Sequence, residues 1–294
     1  MRKGINIWSF APGLGLSECM ELAKRAGFEG IELALAARGP VNLTSTKAEL
    51  AAVRNMARNN GLCVSSLATG LYWQYSLTSD RADIREMARH VVRKQIDAAA
   101  ALGTDCALVC PGMVGADFRP EEVVPDAGDI SFFAGSEVIG YDTAYERAQD
   151  ALAALAPYAS ERGVVIGVEN IWNKFLLSPL EMRRFLDETG SPFVRAYLDV
   201  GNTVLFGYPE HWIRILAERI KRVHFKDYRR DAKGLAGFVD LLAGDVDWVG
   251  VYEALSDIGY EGWANAEMCP TYRQYTDQMI WNASAAMDRI LRRA

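Results

Sequence analysis

The sequence predicts an α/β protein built as a single (β/α)8 barrel, the TIM-barrel fold, and three observations favour this class. Short apolar or β-branched runs alternate with longer segments of helical periodicity, which is typical of parallel βα units. Eight such units can be counted along the 294 residues. No glycine-rich G-x-G-x-x-G turn follows the first strand, so a closed barrel is favoured over an open dinucleotide-binding sheet.

The eight predicted strands cover residues 4–9, 30–35, 62–67, 105–110, 164–169, 194–199, 221–226 and 262–267. The predicted helices lie near residues 16–27, 46–60, 81–103, 142–162, 178–190, 208–219, 247–259 and 272–292. Local signals support these boundaries. Ser17 is expected to start the first helix and Gly27 to close it, while Thr46 and Glu49 form a capping-box pattern before a helix closed by Gly61.

Two connections are longer than a βα loop requires, residues 111–141 and residues 229–244. The second is followed by Asp245 and Asp247, either of which can cap the next helix. Loops of this length in a compact domain usually serve function, and both follow strands, so both are expected on the carboxyl-end face of the barrel. No linker interrupts the chain, and we expect one domain over residues 1–294.

The composition is that of an ordinary globular protein, with 50% hydrophobic and 24% charged residues. A net charge of −6 argues against binding to a nucleic-acid backbone. The apolar part of "MRKGINIWSF" is short, so we do not expect it to be a signal peptide, and the sequence has no run of 18 apolar residues. The five cysteines lack paired spacing and are expected to be buried thiols in a reducing compartment. We therefore expect a cytoplasmic protein with a small-molecule substrate and no nucleic-acid or membrane partner. A homodimer or homotetramer is left open.

Polar residues at the ends of four consecutive strands are the main candidates for a functional site. Glu169, Asp199 and Glu267 end the fifth, sixth and eighth predicted strands, and His224 lies in the seventh. In parallel barrels the chemistry lies at the carboxyl ends of the strands. A single carboxylate there can simply cap a helix. Three carboxylates with one imidazole, however, suit a divalent cation, and we expect Mn²⁺ or Mg²⁺, with Co²⁺ or Zn²⁺ as alternatives.

Other side chains near the strand ends are candidates for substrate contacts. Lys226, Arg229, Arg230 and Lys174 could form a positive wall for a phosphate or carboxylate. A solvated loop charge is the alternative for each, and it is favoured for Arg229. Trp73, after the third strand, could line a sugar pocket or simply pack over the barrel end. Asn202 lies in the turn after the sixth strand.

Four motifs, in this order and spacing, resemble the xylose-isomerase-like barrels, and within them the sugar isomerases and epimerases typified by ketose 3-epimerases. They are "GVEN" at 167–170, "YLDVGN" at 197–202, "VHFKD" at 223–227 and "GYEGWANAEM" at 259–268. The resemblance extends over nearly the whole chain. Lys226 and Asp227 in the third motif are expected either behind the metal ligands or beside the substrate.

The resemblance implies that Glu169, Asp199, His224 and Glu267 bind the metal, with Mn²⁺ favoured. It also implies that Glu169 and Glu267 act as acid and base on opposite faces of the sugar, through an enediolate that the metal stabilises. Arg230 matches an arginine that holds substrate oxygens. Asn202 departs from the pattern, because the ketose epimerases have a histidine there.

The expected function is a metal-dependent ketose or ketose-phosphate 3-epimerase of carbohydrate metabolism. Return of the proton to the neighbouring carbon would instead make the protein an aldose-ketose or hydroxypyruvate isomerase. An inosose or dehydroshikimate type of dehydratase would use the same scaffold and metal to expel a hydroxyl. An endonuclease of this fold is disfavoured, because such sites gather several histidines and only His224 lies at a strand end.

Overall fold

The computed structural model describes residues 1–117, 137–232 and 234–293. Eight parallel strands form a closed barrel, as predicted. In chain order they are Arg2–Asn6, Gly30–Leu35, Cys63–Thr69, Cys106–Val109, Val165–Glu169, Val194–Asp199, Ile220–Phe225 and Trp263–Ala266, and they are numbered one to eight below.

Strands that follow one another along the chain are also neighbours in the barrel, and strand one pairs with strand eight to close it. The register places Asp199 of strand six opposite His224 of strand seven, and His224 opposite Asn265 of strand eight. The carboxyl ends of strands five to eight therefore lie side by side at one face.

Helices follow the strands and pack their apolar faces against the outside of the barrel. They are Leu16–Arg25, Lys47–Asn59, Ala82–Leu102, Tyr141–Arg162, Pro179–Glu188, Pro209–Leu216, Trp248–Asp257 and Thr276–Ile290, and the four-residue helix Val200–Thr203 follows strand six. All eight predicted helices are present with boundaries shifted by a few residues.

The caps explain where several helices begin. Thr46 accepts a hydrogen bond from the backbone N–H of Glu49, and Asp247 caps the helix that follows strand seven. The expectation for Ser17 is wrong, because the first helix begins at Leu16 with Gly15 as its N-cap. Ser17 lies within the first turn instead.

Strand seven shows how side-chain alternation builds the barrel. Val223 and Phe225 point outward into the apolar layer under the helices. Arg222 and His224 point inward, where they hydrogen-bond to residues of strands three and two across the barrel, and Lys226 continues the same row at the carboxyl end. The inward face of one strand thus supplies a basic side chain at three successive heights.

The predicted loop 229–244 contains structure of its own, since Phe238–Val239 pairs antiparallel with Asp227–Tyr228. The Asp227 carboxylate is buried and accepts hydrogen bonds from the backbone N–H groups of Tyr228, Leu242 and Val246 and from Nε1 of Trp248. Asp227 therefore organises this loop, whereas it was expected either behind the metal ligands or beside the substrate. Most of the other long connection, residues 118–136, lies outside the described residues.

All five cysteines are free thiols. Cys19, Cys106 and Cys110 are buried as expected, whereas Cys63 is exposed and Cys269 is half-buried, so the expectation of five buried thiols is wrong. Among the described residues, no helix combines the length and apolar character that crossing a membrane requires.

Candidate metal centre and active site

Four side chains from strands five to eight meet at the carboxyl end of the barrel. Glu169, Asp199, His224 and Glu267 each offer one ligand atom, and these atoms all lie within 4.8 Å of one another. Nδ1 of His224 lies 3.6 Å from Oε1 of Glu169, 3.7 Å from Oδ2 of Asp199 and 3.0 Å from Oε2 of Glu267. We call these four residues the mouth cluster.

The mouth cluster fits a divalent cation. Two ligands on opposite sides of an ion, each about 2.1 Å away, lie about 4.2 Å apart, and the three distances from Nδ1 fall within this limit. Within the described chain, Nδ1 of His224, Oδ2 of Asp199 and Oε2 of Glu267 are buried without a hydrogen bond of good geometry. Buried polar atoms are rarely left in this state, so the donor set is suited to hold a metal.

Lys226 reaches into the mouth cluster. Its Nζ lies 3.0 Å from Oδ2 of Asp199 and 2.5 Å from Oε2 of Glu267. Three carboxylates and one ammonium leave a formal charge of −2 when His224 is neutral, from −3 and +1. A divalent cation would balance this charge, which is otherwise costly to bury.

The two glutamates of the mouth cluster differ in acidity. Burial raises the pKa of the Glu169 carboxyl to about 7, and repulsion from Glu267 adds to the rise, although His224 and Lys226 oppose it. Burial also disfavours ionisation of Glu267, but the Lys226 ammonium and His224 outweigh it and lower the pKa of Glu267 below its usual range. The pKa of Glu169 therefore lies well above that of Glu267 before a metal binds.

A second polar group lies directly beneath the mouth cluster, and the sequence analysis did not anticipate it. Fully buried Glu32 of strand two contacts Nε2 of His224 at 2.5 Å. Its other neighbours are Asn6, Ser66 and Tyr197, from strands one, three and six. The sequence does contain a signal: Glu32 is a carboxylate in the middle of the apolar strand "GIELAL", where a buried charge requires partners.

The turn after strand six is tightly built. Asn202 donates its backbone N–H to Oδ1 of Asp199 and its side-chain amide to the carbonyl of Asn170, so it orients the strand ends. Gly201 is required by close packing, since a Cβ at this position would lie 2.5 Å from Cβ of Lys226. The glycine of "YLDVGN" thus lets strand seven deliver Lys226 to the mouth cluster.

The remaining predicted substrate contacts lie apart from the mouth cluster. Arg230 is exposed, donates from Nε to the carbonyl of Val204 and lies over the ring of Tyr208. Lys174 is exposed and pairs with Asp117 at 2.5 Å. Trp73 is buried in the short 3-10 helix that follows strand three. Of the predicted site residues outside the mouth cluster, Lys226 and Asn202 contact it directly.

A cleft of about 580 Å³ opens at the same face, on the side of strands one to three. Its wall includes Trp8, Leu35, Leu71 and Cys269, and Cys269 follows Glu267 by two residues. Among the described residues that line it, Arg38 is the only charged one. The volume is in the range of small-molecule sites.

A closed βα barrel with a buried carboxylate and imidazole cluster at its carboxyl end is the arrangement of a TIM-barrel enzyme whose mouth fits a divalent metal ion. The family model for xylose isomerase-like TIM barrels matches residues 20–287. The chain therefore belongs to the xylose isomerase-like TIM-barrel family.

Individual relatives agree with this family. A 2-epi-5-epi-valiolone 7-phosphate 2-epimerase from an Actinoplanes species is 26% identical over 231 residues, which cover 77% of this chain and 72% of the relative. The solved structure of an L-ribulose 3-epimerase has a TM-score of 0.78 at 19% identity and covers 99% of this chain and 95% of its own.

A further relative is named for dehydration and not for epimerisation. An inosose dehydratase from Geobacillus thermodenitrificans is 30% identical over 129 residues, which cover 39% of this chain and 43% of the relative. The 2-epimerase matches over most of its length, and the predictions of an enzyme and of the isomerase class are confirmed by this relative. The likeness to the solved 3-epimerase structure supports the fold.

Proposed function

We propose that this chain is a metal-dependent sugar epimerase, specifically a ketose or ketose-phosphate 3-epimerase. The observation that carries the proposal is the presence of Glu169 and Glu267 in one buried cluster, on non-adjacent strands of the barrel. Two carboxylates on opposite sides of a substrate carbon can remove a proton from one face and return one to the other, which inverts that carbon. The epimerase relatives support the same reaction class.

The four mouth-cluster residues, Glu169, Asp199, His224 and Glu267, would hold the divalent cation, for which we propose Mn²⁺, with Mg²⁺, Co²⁺ or Zn²⁺ as alternatives. When bound, the cation supplies Lewis-acid stabilisation of negative charge on the substrate oxygens. Glu169 and Glu267 transfer the protons. Lys226 ends the inward row of strand seven and is placed to donate to a substrate oxygen.

The cleft beside Glu267 would take the part of the sugar that does not react. Arg230 and Lys174 remain candidate contacts for a phosphate or carboxylate at the outer rim, but each would have to leave its present partner, Val204 or Asp117. Asn202 and Trp73 would act by shaping the mouth.

A second candidate is a dehydratase, which the match to an inosose dehydratase favours. The same residues would then remove a proton beside a carbonyl, and a hydroxyl would leave. Aldose-ketose or hydroxypyruvate isomerisation differs only in the carbon that receives the proton. A cytoplasmic location, one domain over residues 1–294 and a homodimer or homotetramer remain part of the proposal.

The deciding experiment locates the exchanged proton. Protein loaded with Mn²⁺ is incubated with ketoses, ketose phosphates and inososes in D₂O. The protein and the Mn²⁺ are then removed, and NMR identifies the deuterated carbon of the sugar. Deuterium at C3 with inversion is expected. Label at C1 or C2 would indicate isomerisation, and an enone absorbance would indicate dehydration. Glu169→Gln should abolish exchange, whereas the exposed-site control Glu161→Gln should not; full exchange in Glu169→Gln would contradict the proposal.

A further inference from the structure

Glu32 is a fully buried carboxylate in the barrel interior, and its two oxygens make four polar contacts. Its Oε1 lies 2.5 Å from Nδ2 of Asn6 and 2.5 Å from Nε2 of His224. Its Oε2 accepts hydrogen bonds from Oγ of Ser66 and from the hydroxyl of Tyr197, each at 2.5 Å. An ionised carboxylate has about four acceptor positions, so the contacts to Glu32 fill them.

The neighbours of Glu32 are held as donors by their own partners. Asn6 uses its Oδ1 to accept from the backbone N–H of Trp8, which turns its amide NH₂ towards Glu32. Asn265 donates from Nδ2 to both Ser66 and Tyr197, so their hydroxyl hydrogens point to Glu32. With three donors fixed in this way, the remaining contact to His224 is best satisfied by a proton on Nε2.

The two nitrogens of His224 consequently face different surroundings. Nε2 meets the Glu32 carboxylate below, while Nδ1 points to the carboxylates of the mouth cluster, 3.0 Å from Oε2 of Glu267 but without a hydrogen bond of good geometry. The Tyr197 ring packs against the imidazole with the ring centroids 4.6 Å apart. A histidine held in this way presents an unprotonated Nδ1 to a cation.

We infer that Glu32 is the positioning residue of the site: by accepting the Nε2 hydrogen of His224, it directs the lone pair of Nδ1 into the mouth cluster. A carboxylate behind a metal-binding histidine fixes the ring and raises its basicity, and its loss typically lowers metal affinity about 10–100-fold. The inference rests on the proposed function for the metal itself. Glu32 touches neither metal nor substrate.

The first test uses the wild-type protein and needs no variant. The chain has three histidines, so [¹⁵N]histidine labelling of the Zn²⁺-loaded protein gives few ring signals, and His90→Gln and His211→Gln assign two of the three rings. The expected spectrum for His224 has its proton on Nε2 and none on Nδ1. A proton on Nδ1 would overturn the inference.

The second test measures Co²⁺ affinity by the visible absorbance of the bound ion. Glu32→Ala is expected to weaken binding about 10–100-fold. Glu32→Gln keeps an oxygen for His224 and should restore most of the affinity. Ser66→Ala, which removes one donor to Glu32 but leaves the contact to His224, should stay close to wild type.

The outcomes separate the two proposals. If wild-type protein binds no Co²⁺, both the proposed function and the role of Glu32 fail. If wild type binds Co²⁺ and folded Glu32→Ala binds it equally well, only the role of Glu32 fails. Equal losses in Glu32→Ala and Ser66→Ala would also overturn it, because they would indicate a general disturbance of the interior.

Discussion

The two ends of the barrel both contain ionic groups, and they differ in whether the charges are matched. At the amino end, Asp105 pairs with Lys221 at 2.6 Å and with the buried guanidinium of Arg222, which also donates to the carbonyl of Ser65. At the carboxyl end, the mouth cluster retains negative charge and buried atoms without hydrogen bonds. The difference separates a structural ion pair from a binding site, since only the unmatched end requires a ligand.

The largest effect is expected from Glu267, the carboxylate that we propose to be catalytic, at the carboxyl end of the barrel. Glu267→Gln keeps the shape of the side chain but removes its ability to accept a proton, so kcat should fall about 10²–10⁴-fold. The measurement is the rate of deuterium exchange into the sugar. Glu261→Gln, at an exposed position just before strand eight, is the matched control and should keep the wild-type rate. Equal rates in both variants would assign the proton transfer elsewhere.

A divalent cation bound by the mouth cluster should stabilise the folded protein against unfolding. At a free concentration one hundred times its dissociation constant, Mn²⁺ should add about 2.7 kcal/mol to the free energy of unfolding, seen as a higher Tm. Asp199→Asn should lose most of this gain because a ligand charge is removed, while Asp150→Asn on the exposed surface should keep it. An unchanged Tm on adding Mn²⁺ to wild type would contradict a metal site.

Metal affinity should depend on pH near neutrality. Since the pKa of Glu169 is raised to about 7, its carboxyl holds a proton below that pH, and the cation must displace it. Affinity for Co²⁺ should therefore fall by up to about tenfold per pH unit as the pH drops below 7. Titrations between pH 5.5 and pH 8, a range of roughly one to two units around that pKa, test this. Glu169→Gln should flatten the dependence, and an equally steep fall in that variant would point to another group.

The smallest effect is expected at the amino end of the barrel, where the charges are paired. Asp105→Asn weakens the contacts to Lys221 and Arg222, but the carboxylate is half exposed and solvent screens it, so the loss in unfolding free energy should be about 1 kcal/mol. Metal affinity and kcat should remain those of wild type. A fall in Co²⁺ affinity comparable to that of Asp199→Asn would show that the two ends are not independent.

The sequence was sufficient to predict the barrel and the meeting of the mouth cluster, for a physical reason. Parallel strands bring their carboxyl ends to one face, so Asp199 and Glu169, which end their strands, are placed by topology alone. Strands 30–35 and 194–199 have the predicted bounds. The helix start at Gly15 was missed because a glycine cap has no side chain to mark it.

The contact between Glu32 and His224 could not be predicted in the same way. The two residues are 192 positions apart, on strands two and seven, and they meet only across the closed interior. Local patterns carry no information on such a pair. The place of Arg230 could not be predicted for a related reason, since a loop residue is placed by its local contacts, here with Val204 and Asp245, and not by the barrel register.

The inward row of strand seven ties folding to chemistry. A slip of this strand by one residue would turn Arg222, His224 and Lys226 into the apolar layer under the helices and bring Val223 and Phe225 inside. Such a slip would bury three polar or charged side chains in the apolar layer under the helices. It would also leave Glu32 and Asp105 without their partners. A shifted register is therefore destabilised at the amino end, in the middle and at the mouth of the barrel. The side chains that form the candidate site also favour the correct register of strand seven.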